Sequence, residues 1–141
     1  MKAVYWKELR RENFMHIDHI ALYVNDLENM KHFYETYFDV VSNEKYQNPK
    51  TLFESYFLTF KTGSRIELTT KKFLTPRAAE SFGYTHMALA VGTRQQVDKL
   101  VKRLNEDGYP LLNGPRVTGD GYYEAVIQDP EGNLLELMAD K

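Results

Sequence analysis

The chain has 141 residues, a formal net charge of −2 and 43% hydrophobic residues, enough for one compact domain. Its near-neutral balance offers no basic surface for nucleic acid or an anionic membrane, and no apolar run approaches the roughly 18 residues of a spanning helix. It contains no cysteine, which excludes disulfides, thiolate metal sites and a cysteine nucleophile and accords with an expected cytoplasmic location.

Residues 1–14 form an N-terminal extension in which Val4, Trp6 and Leu9 stand among Lys and Arg. A short amphipathic helix is expected there, as a cap or a segment packing on a partner subunit. Its charged N-terminus lacks an uninterrupted apolar stretch, so no secretory signal is expected.

The first unit spans about residues 15–70. His16–Val24 reads as a strand. Asn25-Asp26 offers a helix N-cap, with Glu28 in the first turn. Met30, Phe33, Tyr34, Tyr37 and Phe38 then recur at helical spacing. Strands are expected over 39–46 and 53–61, a turn at Thr62-Gly63-Ser64, and a strand over 65–70, giving βαβββ. A linker, 71–83, holds Pro76 and Gly83. The second unit, about 85–139, repeats the order. A strand is expected over 85–91, then a helix marked by Val97, Leu100, Val101 and Leu104 and ended by Gly108. A short strand follows over 109–112, a glycine-rich loop over 113–121, a strand over 122–128, an Asp129-Pro130-Glu131-Gly132 turn and a last strand over 133–139.

The two units echo each other in sequence. Residues 19–24 read H-I-A-L-Y-V and 86–91 read H-M-A-L-A-V; G-S-R-I-E-L at 63–68 is answered by G-N-L-L-E-L at 132–137. Such self-similarity sets the architecture before any local assignment. Each unit carries one His at the start of a strand and one Glu inside another: His19 with Glu67, and His86 with Glu136. Two His and two Glu at duplicated positions are a ligand set for one divalent metal ion.

Strand alternation sharpens that reading. His19, Ala21 and Tyr23 share one face and Ile20, Leu22 and Val24 the other. His86, Ala88 and Ala90 oppose Met87, Leu89 and Val91. Arg65, Glu67 and Thr69 oppose Ile66 and Leu68, while Leu134, Glu136 and Met138 oppose Leu135 and Leu137. One face is large and apolar throughout, suited to burial under helices. The other carries the candidate ligand among mostly small or polar residues, which fill a core poorly but suit a cavity around an ion. His16 falls on the opposite parity to His19, and His32 lies on the helix; both are expected to be surface or packing residues.

Three stretches carry a resemblance to a known family: D-H-I-A-L-Y-V, T-H-M-A-L-A-V and D-P-E-G-N-L-L-E-L. With them the chain resembles the vicinal oxygen chelate superfamily over residues 15–139. Its members include glyoxalase I, fosfomycin-resistance enzymes, methylmalonyl-CoA epimerase, extradiol dioxygenases and bleomycin-binding proteins. The resemblance implies an α+β fold of two βαβββ modules whose mixed sheet curls into a cup around a metal. It also implies a homodimer, in some members with modules exchanged between chains. At the metal the chain is most similar to glyoxalase I, one His and one Glu per module, which implies His19, Glu67, His86 and Glu136 as ligands. Where bacterial glyoxalase I meets the carboxylates of glutathione, this chain has Tyr23 and Lys71. Tyr23, Arg65, Lys71 and Tyr122 are therefore candidate substrate contacts.

Two neutral imidazoles and two carboxylates balance a divalent ion and leave two octahedral positions open. The set suits Zn, Ni, Co, Mn or Fe without choosing among them. A substrate with two adjacent oxygens, such as a thiol adduct of an aldehyde, could occupy both positions. The expected reaction is of lactoylglutathione lyase type: the ion stabilises an enediolate, and Glu67 or Glu136 is the catalytic base that moves the proton. Alternatives are another metal-dependent enzyme of the family, an epimerase or thiol transferase, and a non-enzymatic drug-binding resistance protein. The loop at 116–123 is read either as a cover over the cavity or as a plain hairpin connection.

Overall fold

The computed structural model describes residues 15–141, so the helix expected within 1–14 lies outside the described residues. The first module runs β1 (His19–Tyr23), α1 (Leu27–Tyr37), β2 (Val40–Ser42), β3 (Tyr46–Asn48), β4 (Phe53–Phe60) and β5 (Arg65–Thr70). The second runs β6 (His86–Gly92), α2 (Arg94–Glu106), β7 (Asn113–Val117), β8 (Tyr123–Gln128) and β9 (Leu134–Ala139). One sheet has the order β1-β5-β4-β2, with β3 added on β4; the other has the order β6-β9-β8-β7. In both, the first and last strands of the module lie parallel, and in the same register: Ala21 is opposite Glu67, and Ala88 is opposite Glu136.

Local chemistry accounts for the helices. Asp26 caps α1, its side chain accepting from the Asn29 backbone N–H at 3.0 Å. Thr93 and Gln96 form a reciprocal capping box at the start of α2. The α1 face Leu27, Met30, Phe33 and Tyr34 and the α2 face Val97, Val101 and Leu104 are buried. They cover Leu58, Ile66, Leu68, Ile127, Leu135 and Leu137 of the sheets. Each large apolar side chain taken out of water this way contributes about 1.5–3 kcal/mol.

The modules meet through α1 and the D-P-E-G turn. Buried Asp129 accepts from the Tyr34 hydroxyl at 3.0 Å, and it also accepts from the backbone N–H groups of Glu131 and Asn133. Glu131 accepts from the backbone N–H groups of Asn25 and Asp26 at the start of α1, where a carboxylate suits the helix dipole. The rings of Phe33 and Tyr109 pack 4.9 Å apart. A turn motif read as local is thus also the clasp between modules.

Two expected strands differ. Residues 39–46 split into β2 and β3, separated by a loop whose Asn43 side chain accepts from the Phe57 backbone N–H. Residues 109–112 are not a strand, and the expected glycine-rich loop instead supplies β7. Gly114 (φ +82) precedes a cis peptide at Pro115, and the β7–β8 register shifts between Asn113 and Arg116. An edge strand tolerates proline at a bulge because that position needs no ladder donor.

Candidate metal centre

All four candidate ligands stand on the sheet faces turned away from the helices. Along β1 and β6, His19, Ala21 and Tyr23, and His86, Ala88 and Ala90, are exposed. Along β5 and β9, Glu67 and Glu136 are half-buried between the buried Ile66 and Leu68 and the buried Leu135 and Leu137. Parallel pairing then sets each His beside its Glu. The His19 Nε2 lies 3.4 Å from a Glu67 carboxylate oxygen, and the His86 Nε2 lies 3.1 Å from one of Glu136.

Both imidazoles have their other nitrogen engaged. The Nδ1 of His19 lies 2.7 Å from the Asp18 carboxylate, and that of His86 lies 2.7 Å from the Thr85 hydroxyl. Hydrogen bonds from His19 and then Arg65 hold the Asp18 carboxyl below the usual carboxylate range. With Nδ1 occupied, Nε2 is left for a ligand in both halves. Two donors about 2.1 Å from one ion are themselves roughly 3.0–3.4 Å apart, so each His–Glu pair fits adjacent positions on a divalent ion.

The pairs do not converge into one site within the chain. Among the described residues no three His, Asp or Glu side chains are grouped to hold an ion. The structure therefore brings the four residues together as two His–Glu pairs, one per sheet, rather than as one quartet. Each His–Glu pair lies inside its own sheet, and the two sheets share no strand pairing.

The candidate substrate residues divide between the halves. A cavity of about 290 Å³ beside Glu67 is lined by Ala21, Tyr23, Phe53 and Thr69. Lys71 Nζ stands over the Tyr23 ring, 5.2 Å from its centre. Arg65 is turned onto Asp18 and lies 4.5 Å over Phe57. In the other half, Tyr122 lies under Lys141 Nζ, 3.9 Å from the ring centre. The 116–123 segment is a hydrogen-bonded hairpin connection: the Thr118 N–H donates to the Tyr122 carbonyl at 2.7 Å. His16 is exposed and precedes β1, and His32 is exposed on α1.

Two residues of the ligand-bearing faces were not singled out from sequence. Thr69 is buried, and its hydroxyl has no hydrogen-bond partner among the described residues. Glu124 on β8 is 8% exposed, and burial, then the neighbouring Glu136 carboxylate, raises its pKa. Alternation along 122–128 was the available signal for Glu124, since it shares parity with Val126, which pairs with Glu136.

A sequence model of the "Glyoxalase/Bleomycin resistance protein/Dioxygenase superfamily" matches residues 16–137. A curated relative, the uncharacterized protein YqjT of Bacillus subtilis (strain 168), is 28% identical over 129 residues, covering 86% of this chain and 96% of its own. Among solved structures, the trypanothione-dependent glyoxalase I of Leishmania major is similar with a TM-score of 0.73 at 22% identity, covering 89% of this chain and 87% of that one. A mutant of the fosfomycin resistance protein FosX of Listeria monocytogenes, complexed with Mn(II) and 1S,2S-dihydroxypropylphosphonic acid, is similar with a TM-score of 0.71 at 22% identity, covering 92% and 95%. These two structural likenesses concern the fold, and the family match spans nearly the whole chain: it belongs to the Glyoxalase/Bleomycin resistance protein/Dioxygenase superfamily.

Proposed function

We propose that this protein is a metal-dependent enzyme of glyoxalase I kind, a lyase or isomerase acting on a small substrate with adjacent oxygens. The observation that carries the reading is the duplicated His–Glu pair, set in the same register on two sheets with Nε2-to-carboxylate distances of 3.4 and 3.1 Å. The solved FosX relative, bound to Mn(II) with a ligand bearing hydroxyls on adjacent carbons, supports the same class of site and ligand. His19, Glu67, His86 and Glu136 would hold the ion, which when bound supplies Lewis acidity toward charge developing on the substrate oxygens. Glu67 or Glu136 takes the proton α to the carbonyl and returns it to the neighbouring carbon. The half-buried setting of both carboxylates limits water around them.

A complete site needs two chains. Each chain carries both halves apart, and the donors missing from one half are those on the other. A homodimer pairing His19 and Glu67 of one chain with His86 and Glu136 of a second makes two equal sites, as two-fold symmetry requires.

The substrate shell favours a compound other than a glutathione adduct. Tyr23 and Phe53 line the cavity beside Glu67, and Lys71 stands over the Tyr23 ring. A flat or apolar body is therefore the better fit.

Metal content per chain, measured by elemental mass spectrometry, tests the proposal. About one divalent ion per chain is expected in the wild type, falling at least tenfold in Glu67→Gln and Glu136→Ala. Turnover of α-keto aldehydes with a panel of thiols should be lost in both variants. A wild type that takes up no divalent ion would remove the enzyme reading and favour a drug-binding protein.

A further inference from the structure

We infer that Asp18 is a positioning residue of the metal centre, fixing the ring and tautomer of His19 and so making the first module's half the better organised of the two; the inference rests on the metal reading above. Four side chains form a closed circuit there. The Asp18 carboxylate accepts from His19 Nδ1 at 2.7 Å and, at the same oxygen, from the Arg65 guanidinium. Arg65 lies 4.5 Å over the ring of Phe57, and Phe57 meets His19 edge-on, 5.1 Å away at 87°. His19 is thus held at Nδ1 by a charge-assisted bond and along its ring by an aromatic contact, which leaves Nε2 facing Glu67.

The second module repeats the His and the Glu but not this support. The group on His86 Nδ1 is the Thr85 hydroxyl, a neutral partner that accepts when Nδ1 carries the proton. A carboxylate makes a bond to imidazole N–H roughly twice as strong as a neutral oxygen does, and it raises the basicity of the opposite nitrogen. The sequence difference is one letter, D-H at 18–19 against T-H at 85–86. Asp18 and Arg65 reach no other ion-pair partner among the described residues except His19, so the pair is committed to this task.

Zinc affinity of the full-length protein, read by competition with a chromophoric chelator, tests the inference. Asp18→Ala should weaken zinc about 10–100-fold. Asp18→Asn, which keeps an acceptor oxygen without charge, should weaken it by about threefold to tenfold, and Thr85→Ala by less than Asp18→Ala. A proton NMR spectrum of the zinc-loaded protein gives a readout that folding alone would not move. The downfield Nδ1 proton of His19 should persist in Asp18→Asn and vanish into solvent exchange in Asp18→Ala, while that of His86 stays in place. Zinc bound by Asp18→Ala as tightly as by wild type, or by Asp18→Asn if the alanine variant fails to fold, overturns the inference and leaves the metal reading standing. A wild type that binds no zinc, manganese or nickel overturns both.

Discussion

Thr69 shows most directly how a residue's environment exceeds its letter. Its place on the face that bears Glu67 followed from alternation, but its burial beside Tyr23 and its hydroxyl's lack of a partner among the described residues depend on how β1 and β4 flank β5. A buried hydroxyl without a partner costs about 1–3 kcal/mol. Thr69→Val keeps the shape and removes that group, so thermal denaturation should show stability unchanged or raised by up to about 1 kcal/mol. A loss of more than that would mean the hydroxyl has a partner in solution. The four metal candidates were legible residue by residue because a strand has only two faces and both repeats put His and Glu on the same one. Glu124 was equally legible by parity but lacked a duplicate: its place in the pseudo-repeat, opposite Met138, corresponds to Ser55, opposite Thr69.

At the scale of elements, β7 is where local reading failed. Gly and Pro in N-G-P-R-V argue for a loop, yet the segment pairs with β8 through a bulge. Gly114 has φ +82, and a Cβ there would stand 2.6 Å from the Glu124 backbone carbonyl, which cannot step aside without disturbing the β7–β8 pairing of Arg116 with Glu124. Gly114→Ala should therefore cost about 3 kcal/mol or more, and it should disturb Glu124 and Glu136. Gly119→Ala, where nothing lies within 4 Å, should be neutral within about 0.5 kcal/mol. Paired urea titrations of the two variants separate a strained bulge from a permissive turn; equal stability would contradict the bulge. Helices α1 and α2 were readable because their caps and 3.6-residue apolar stripes are local properties.

Across the whole molecule, the two half-sites set a stoichiometric expectation. If each centre takes one half from each of two chains, His19→Ala and His86→Ala subunits are each inactive alone. Mixed and allowed to exchange, they should recover about a quarter of wild-type metal sites, since half the dimers are mixed and each has one intact centre. Recovery of none would place the whole centre within one chain. Phe73 and Phe82 of the linker, Tyr84 just after it, and Met15 and Ile17 before β1 stand largely exposed, which gives a second copy apolar surface to cover. Among the described residues no helix is long and apolar enough to cross a membrane.

From the sequence alone came the repeat, the two βαβββ modules and the face that bears His and Glu, because period and duplication are written in the order of residues. Only the tertiary structure decided that the quartet is divided, that Asp18 rather than solvent holds His19, and that the D-P-E-G turn clasps α1. The first and last are relations between segments distant in sequence, and the Asp18–His19 contact is fixed in place by Arg65, which is also distant in sequence. They are set by how sheets pack and how a turn meets a helix, and neither residue type nor spacing encodes them locally.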